Sequence, residues 1–223
     1  MKRSPIICLE GPSAVGKTTL ARELGRDLGA VVIPELDASA APPPSDAEPW
    51  FTHAHADRWR MAVAAANDAP LVVMDCDPLK GLWYNWMYAE EGWPNIEVVG
   101  EHYLRSILGG ELSFPDLYVF MDAPEVELWS RRNSDFSRSR RHFEKHVQRL
   151  EPRRRYFRAL DAAVPGLVCF IDTSARHAVT EGVVARLSKP LDLIEPVVTL
   201  EKIVGWVRSQ PVVTVGSGRQ PNN

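Results

Sequence analysis

Five short runs of apolar residues are spaced along the chain, and each run is continuous rather than alternating with polar residues. They cover residues 6–9, 31–33, 71–74, 117–121 and 167–171. Continuous apolar runs are typical of strands buried on both faces, as in a parallel sheet. Helical patterns separate the runs. The sequence therefore predicts an α/β fold of three layers, in which a five-stranded parallel sheet is flanked by helices.

The segments outside the runs suggest one domain with a short tail. Residues 38–49 are rich in Ala and Pro, which favours a mobile loop, and too little chain precedes them to form a core of its own. We interpret residues 1–209 as one domain. Residues 210–223 offer little to bury, so we expect a disordered tail there.

Composition and charge exclude several classes of protein. The formal net charge of -3 gives no general reason to expect nucleic acid or an acidic membrane as a partner. No apolar run is long enough for a spanning helix, and the N-terminus does not fit a signal peptide. Cys8, Cys76 and Cys169 lack metal-binding spacing and fall in or beside apolar runs. We therefore expect reduced core cysteines in a cytoplasmic protein.

The most specific motif directly follows the first apolar run. Residues 11–18 have the sequence GPSAVGKT, which completes the GxxxxGK[ST] pattern of a P-loop. Leucines at 20, 24 and 28 then recur at helical spacing, and Gly29 can end the helix. The motif therefore lies between a strand and a helix, which is the setting that a P-loop requires.

Each part of this loop has a chemical reason. Gly11 and Gly16 let the backbone turn so that its N–H groups face a phosphate. Lys17 would reach the β and γ phosphates of ATP, and the Thr18 hydroxyl would bind Mg²⁺. The candidate nucleotide-binding residues of the loop are Gly11, Ser13, Ala14, Val15, Gly16, Lys17, Thr18 and Thr19.

The P-loop alone does not distinguish motors, signalling GTPases and small-molecule kinases. No NKxD-like motif follows the later apolar runs, and 223 residues leave no room for the additional modules of a motor. We therefore expect a kinase.

Acidic residues follow the second and third runs, where an open parallel sheet places its ligands. Asp75 ends the third run, and we expect it to hold Mg²⁺ through water, with a helix cap as the alternative. Asp77 is better placed as the cap, although a role at the acceptor stays open. Glu35 would face the acceptor, where a carboxylate can take or orient the hydroxyl proton; the alternative is a solvated loop glutamate.

Ten arginines lie between residues 131 and 158. Like charges so close together indicate an anion, and we expect a lid at about residues 131–141 that contacts the triphosphate. The first cluster comprises Arg131, Arg132, Arg138, Arg140 and Arg141. Within it, Arg138 and Arg140 are assigned to catalysis and Arg131 to the nucleotide. A solvated helix face or an RNA-binding strip is the alternative, and Arg149 with residues 153–155 is predicted to be solvated.

From the P-loop to about residue 187, the chain resembles the thymidylate kinase and deoxynucleoside kinase family. Residues 34–36 lie where the family has an acid facing the acceptor, and residues 55–59 resemble a helix segment of the acceptor pocket. Residues 128–141 resemble its Arg-rich lid, and residues 172–174 resemble its adenine-side loop. The resemblance implies that Glu35, Arg58, Trp59 and Asp77 bind the acceptor, and that Ser174 binds the nucleotide.

One position departs from the family's pattern. Cys76 lies between Asp75 and Asp77, where the family has an arginine that grips the acceptor. The Asp-x-Asp sequence is similar to that of nicotinamide riboside kinases. We therefore expect an uncharged hydroxyl acceptor rather than a nucleotide.

Aromatic residues crowd the two segments that should wall the acceptor pocket. Such rings can stack on a base or sugar, but core packing is the preferred interpretation for most of them. They are Trp50, Phe51, Trp59, Trp83, Tyr84, Trp86 and Tyr88.

The leading hypothesis is an ATP- and Mg²⁺-dependent kinase that phosphorylates a hydroxyl of a nucleoside-like or other small acceptor. A nucleoside monophosphate kinase, an antibiotic phosphotransferase and a nucleotide-dependent regulatory ATPase stay open as alternatives. A nucleic-acid-binding ATPase is disfavoured by the acidic charge balance. The sequence leaves open the acceptor, the general base among Glu35, Asp75 and Asp77, the lid arginine that contacts phosphate, and whether the protein is a homodimer.

Overall fold

The computed structural model describes residues 3–37, 39, 41–44, 47–135, 143–174 and 178–214. Five parallel strands form one sheet in the order β2-β3-β1-β4-β5. They are β1 (Ile6–Glu10), β2 (Val31–Ile33), β3 (Val72–Asp75), β4 (Leu117–Asp122) and β5 (Val168–Asp172). Each of the five apolar runs thus coincides with a strand to within one residue at each end, and the predicted parallel sheet is confirmed.

Helices connect the strands and cover the sheet. They are α1 (Lys17–Leu28), α2 (Ala47–Ala65), α3 (Gly81–Met87), α4 (Ile96–Leu108), α5 (Glu125–Ser134), α6 (Phe143–Val147), α7 (Leu150–Ala163), α8 (Ala178–Leu187) and α9 (Pro196–Ser209). A short 3₁₀ turn, Ala89–Glu91, precedes α4. The helix α2 begins inside the segment 38–49 that the sequence assigned to a loop. In the described part of the chain, no helix is both long and apolar enough to cross a membrane.

Two hydrophobic cores lie on opposite faces of the sheet. Within β1, Ile6 and Cys8 face one core, and Ile7 and Leu9 face the other. All four side chains are fully buried, which explains why the run is continuous rather than alternating. The first core packs mainly against α2, α3, α4, α7 and α9, and the second mainly against α1 and α8.

The order of the strands determines where a ligand can bind. The central strand β1 has β3 on one side and β4 on the other, so the connections leave in opposite directions at its carboxyl end. Open α/β sheets bind ligands at this reversal. The phosphate loop follows β1 and Asp75 ends β3, and these two strands are neighbours there.

The C-terminal boundary differs from the sequence prediction. Of the segment predicted to be a disordered tail, the structure describes residues 210–214. The carbonyl oxygen of Pro211 accepts a hydrogen bond from Trp86 Nε1 at 3.1 Å, and Val213 is 8% exposed in the core. The packed domain therefore extends to Val213, because the apolar side chain of Val213 packs in the core. Residues 215–223 lie outside the described residues.

Candidate active site

The loop between β1 and α1 has the backbone that a phosphate loop needs. Gly11 and Gly16 have φ angles of 138° and 110°, and Ala14 has 68°. A Cβ atom at Gly11 would lie 2.2 Å from the carbonyl oxygen of Met121, so no other residue fits there without displacing β4. The loop ends at Gly16, which precedes the first residue of α1. Helix N-termini and such turns present N–H groups to anions.

A cleft of about 580 Å³ opens above this loop and contains most of the site residues predicted from the sequence. Its lining combines the phosphate loop, the ends of β2 and β3, and α5. The predicted residues that line it are Gly11, Ser13, Ala14, Val15, Gly16, Lys17, Thr18, Thr19, Glu35, Asp75 and Arg131.

Lys17 lies across the phosphate loop. Its Nζ atom donates to the carbonyl oxygens of Gly11 at 2.8 Å and Pro12 at 3.1 Å. The ammonium group is thereby held at the mouth of the loop, where it can transfer these hydrogen bonds to phosphate oxygens.

Asp75 has the environment of a metal-binding carboxylate. Its Oδ1 atom is buried and has no hydrogen-bond partner among the described residues. Burial raises the pKa of Asp75, an effect that Lys17 opposes and that Glu35 and Glu10 reinforce. A divalent cation would satisfy both the orphaned oxygen and the excess negative charge.

The chemistry of the residues present is compatible with Mg²⁺. Thr18 and Asp75 line the same cleft and offer oxygen ligands. Among the described residues, no cluster of three or more His, Cys, Asp or Glu side chains could hold a metal alone. Magnesium commonly uses one or two protein oxygens together with phosphate oxygens and water, so the pair suffices.

The structure does not bring Arg58 and Trp59 to the cleft. Arg58 is 6% exposed, and its guanidinium donates to backbone oxygens of Pro34 at 2.9 Å, Asp75 at 2.6 Å and Cys76 at 3.3 Å. It thereby ties the end of β2 to the end of β3. Trp59 is 5% exposed and lies in the core. Both side chains support the site from behind instead of lining it.

Asp77 is also placed away from the cleft lining. Its side chain is fully buried and accepts hydrogen bonds from Leu79 N at 2.9 Å, Tyr118 Oη at 2.9 Å and Trp83 Nε1 at 3.0 Å. Burial, followed by the charge of Glu10, raises the pKa of Asp77 to about 7. These contacts satisfy the carboxylate. The capping interpretation is wrong, because the bond from Leu79 N lies in the turn before α3, whose N-cap residue is Lys80 and which has no side-chain cap.

Lys80 is a residue of the cleft that the sequence did not indicate. Its Nζ atom lies 3.6 Å from a carboxylate oxygen of Glu35 and lies over the rings of Trp83 and Tyr84. Side-chain exposure is 29% for Lys80 and 58% for Glu35, so the pair is accessible to an acceptor. Nothing in the local sequence signalled this pairing, because it joins the end of β2 to the start of α3.

Arg131 connects the phosphate loop to the segment after β5. Its Nη1 atom donates to the Val15 carbonyl at 3.1 Å and to Thr173 Oγ1 at 2.9 Å. Thr173 lines the cleft, whereas Ser174 is exposed and is not part of the lining. The predicted lid residues Arg138, Arg140 and Arg141 lie outside the described residues.

The prediction of a solvated face for the arginines around α7 is wrong for Arg149 and Arg153. Both are 5% exposed. Arg149 Nε donates to the Met87 carbonyl at 2.7 Å, and Arg153 Nη1 donates to the Gly11 carbonyl at 2.9 Å. The sequence itself indicates that Arg153 is buried, because position 153 lies on the same helical face as the apolar residues at 150, 156, 157 and 160.

Comparison with known proteins adds evidence on the fold. Neither a family model nor a curated protein sequence matches this chain. Thymidylate kinase from Candida albicans superposes with a TM-score of 0.61 and 16% identity, over 83% of this chain and 92% of that one. Deoxyadenosine kinase from M. mycoides with bound dATP gives 0.61 and 15%, over 82% and 100%. This chain has the fold of a P-loop kinase.

A second thymidylate kinase, from Ehrlichia chaffeensis, supports the same conclusion. It superposes on this kinase fold with a TM-score of 0.56 and 14% identity, covering 84% of this chain and 100% of the other. At these identities the likeness establishes the fold that the sequence predicted. The chemistry of a site depends on its side chains rather than on the fold.

Proposed function

We propose that this protein is a kinase that transfers the γ-phosphoryl group of ATP to a hydroxyl of a nucleoside-like or other small acceptor. The observation that carries the proposal is that the phosphate loop, Glu35 and Asp75 line one cleft at the carboxyl ends of neighbouring strands. The fold shared with thymidylate kinase and deoxyadenosine kinase supports it.

On the donor side, the loop N–H groups and Lys17 bind the β and γ phosphates. Bound Mg²⁺, held by Thr18 and, through water, by Asp75, would neutralise phosphate charge. Lys17 releases the Gly11 and Pro12 carbonyls and follows the migrating charge. Because the transition state has little covalent assistance, this positioning and neutralisation supply most of the rate enhancement.

On the acceptor side, Glu35 orients the attacking hydroxyl and takes its proton. The hydroxyl oxygen forms a bond to the γ phosphorus, the bond from phosphorus to the bridging oxygen breaks, and ADP leaves. Lys80, paired with Glu35 at 3.6 Å, holds the carboxylate in position for this task. Arg58 holds the strand ends behind both carboxylates in register.

An acceptor that itself carries a phosphate is the second candidate. Lys80 lies at the acceptor side, over the rings of Trp83 and Tyr84. A monophosphate could therefore replace Glu35 as the ionic partner of Lys80. Such an acceptor would not need an arginine at position 76 to bind its phosphate.

The free thiols of Cys8, Cys76 and Cys169 support a reducing compartment such as the cytoplasm for either reaction.

A screen of acceptors tests the proposal. Nucleosides, their monophosphates and antibiotic scaffolds are incubated with ATP and Mg²⁺, and phosphorylated products are identified by mass spectrometry. We expect at least one acceptor class to be phosphorylated by the unchanged protein and not by Lys17→Ala. Nucleotide hydrolysis without any phosphorylated acceptor would instead favour a regulatory ATPase.

A further inference from the structure

Arg153 is a buried cation without a carboxylate partner among the described residues. It is 5% exposed, it stacks on the Trp83 ring at 4.7 Å, and it donates one hydrogen bond to the Gly11 carbonyl at 2.9 Å. Its Nε atom is buried and has no hydrogen-bond partner in the described part of the chain. An unpaired charge in such a place costs free energy, which a bound anion would recover.

The position of Arg153 indicates which anion. The Gly11 carbonyl oxygen that accepts from Arg153 Nη1 also accepts from Lys17 Nζ at 2.8 Å. Two cations from distant parts of the chain therefore converge on one backbone oxygen. Lys17 is the residue of a phosphate loop that contacts the β and γ phosphates. Arg153 consequently lies beside the phosphates that Lys17 binds.

The other side of Arg153 faces the acceptor wall. Its guanidinium stacks on Trp83, and Trp83, Cys76 and Lys80 line the same cleft. Arg153 thus lies between the phosphate loop and the surface that would hold the acceptor. The group that crosses this gap is the γ-phosphoryl.

We propose that Arg153 is a catalytic residue that binds the γ-phosphoryl group of the donor during transfer. This inference rests on the proposed function, because it names a partner for the group that the kinase would move. A guanidinium presents several N–H donors in a plane and suits phosphoryl oxygens, whose charge is spread in the transition state. Arg153 exchanges no proton; the hydroxyl proton goes to Glu35, and ADP is the leaving group.

Arg149 provides an internal comparison. It is equally buried, donates to the Met87 carbonyl and stacks on the Tyr88 ring at 4.3 Å. Unlike Arg153, it has a carboxylate nearby, at 3.9 Å in Glu91, and it does not line the cleft. At Arg149 the chain itself supplies a counter-charge. At Arg153 a ligand would supply it.

Nucleotide binding tests this role without knowledge of the acceptor. The affinities of Mg-ATP and Mg-ADP are measured by isothermal titration calorimetry for the unchanged protein, Arg153→Met and Arg149→Met. Arg153→Met should weaken the affinity for Mg-ATP by about 10- to 100-fold, which corresponds to the loss of one or two charge-assisted hydrogen bonds. The affinity for Mg-ADP, which lacks the γ phosphate, should change much less. Arg149→Met should leave the ratio of the two affinities unchanged.

The outcomes separate this inference from the proposed function. If the unchanged protein binds ATP but Arg153→Met weakens both nucleotides equally, or neither, the role of Arg153 is refuted and the kinase proposal stands. If the unchanged protein binds no ATP, both fail. Circular dichroism establishes folding, and if Arg153→Met does not fold, Arg153→Lys is measured in its place. Arg153→Lys keeps the charge without the planar donors and should show a smaller, still ATP-selective loss.

Discussion

The ammonium group of Lys80 lies 3.6 Å from the carboxylate of Glu35, across the gap between the start of α3 and the end of β2. The two residues belong to different elements and are far apart in sequence. Because each side chain is partly exposed, their attraction is screened by water and adds little to the free energy of unfolding. Its consequence for the position of Glu35 is larger, since Lys80 holds the carboxylate beside the cleft that both residues line.

Lys80→Met tests that pairing. Without the cation, the Glu35 carboxylate is no longer held in place at the cleft, so turnover should fall by up to roughly 100-fold. The melting temperature should change little. Lys80→Arg keeps the charge and serves as the control. An unchanged turnover for Lys80→Met would show that Lys80 does not position Glu35 for catalysis.

Glu35 and Asp75 should fail in different ways. Glu35→Gln removes the proton acceptor, so turnover should fall by roughly 10²- to 10⁴-fold while Mg-ATP affinity stays the same. Asp75→Asn should raise the Mg²⁺ concentration needed for half-maximal rate. It should not lower stability, because burial already opposes the charge of Asp75. A magnesium titration of both variants checks this, and a shifted curve for Glu35→Gln alone would reverse the two assignments.

Gly11→Ala tests the geometry of the phosphate loop. The new Cβ would meet the Met121 carbonyl at 2.2 Å, so β4 or the loop has to move. Gly110→Ala is a matched control, since Gly110 also has a positive φ, 71°, but has nothing within 4 Å. The control should cost about 1–2 kcal/mol in urea unfolding. Gly11→Ala should cost more and should also abolish ATP binding. Equal costs would mean that the close approach to β4 is not a constraint.

Asp77 should make stability depend on pH. Burial raises its pKa from 3.8 to about 7 in the folded protein, so the unfolded chain loses this proton first as pH rises. The free energy of unfolding should therefore fall between about pH 4 and pH 7, with a limiting slope of about 1.4 kcal/mol per pH unit. Asp77→Asn lacks this titration. The difference in free energy of unfolding between this variant and the unchanged protein should therefore become smaller as the pH rises over the same interval. A constant difference would argue against a protonated Asp77.

Local signals in the sequence predicted the sheet and the phosphate loop. Continuous apolar runs are a direct consequence of burial on both faces, and the two glycines of the loop are required by its backbone. The positions of Glu35 and Asp75 at strand ends followed from the same pattern, because parallel strands end at one edge of the sheet.

The direction of individual side chains could not be predicted in the same way. Asp75 and Asp77 would lie on the same face if the strand continued, but Cys76 has a φ of 89°, which breaks the alternation. Asp77 therefore turns toward Tyr118 and Trp83 instead of the cleft. Arg58 was assigned to the acceptor because its neighbourhood resembled a pocket segment. The carbonyl groups that accept its hydrogen bonds lie at the ends of β2 and β3. A single sequence does not show that these strand ends lie beside Arg58.

The most direct test of a phosphoryl-transfer function follows the γ phosphate itself. ATP with ¹⁸O in the γ-phosphoryl group is incubated with Mg²⁺, the unchanged protein and the pooled acceptors, and mass spectrometry locates the label. We predict that the label appears on an organic acceptor in amounts equal to the ADP formed, and that Lys17→Ala yields neither product. Label found in inorganic phosphate alone, at the same rate with and without acceptors, would contradict the assignment as a kinase.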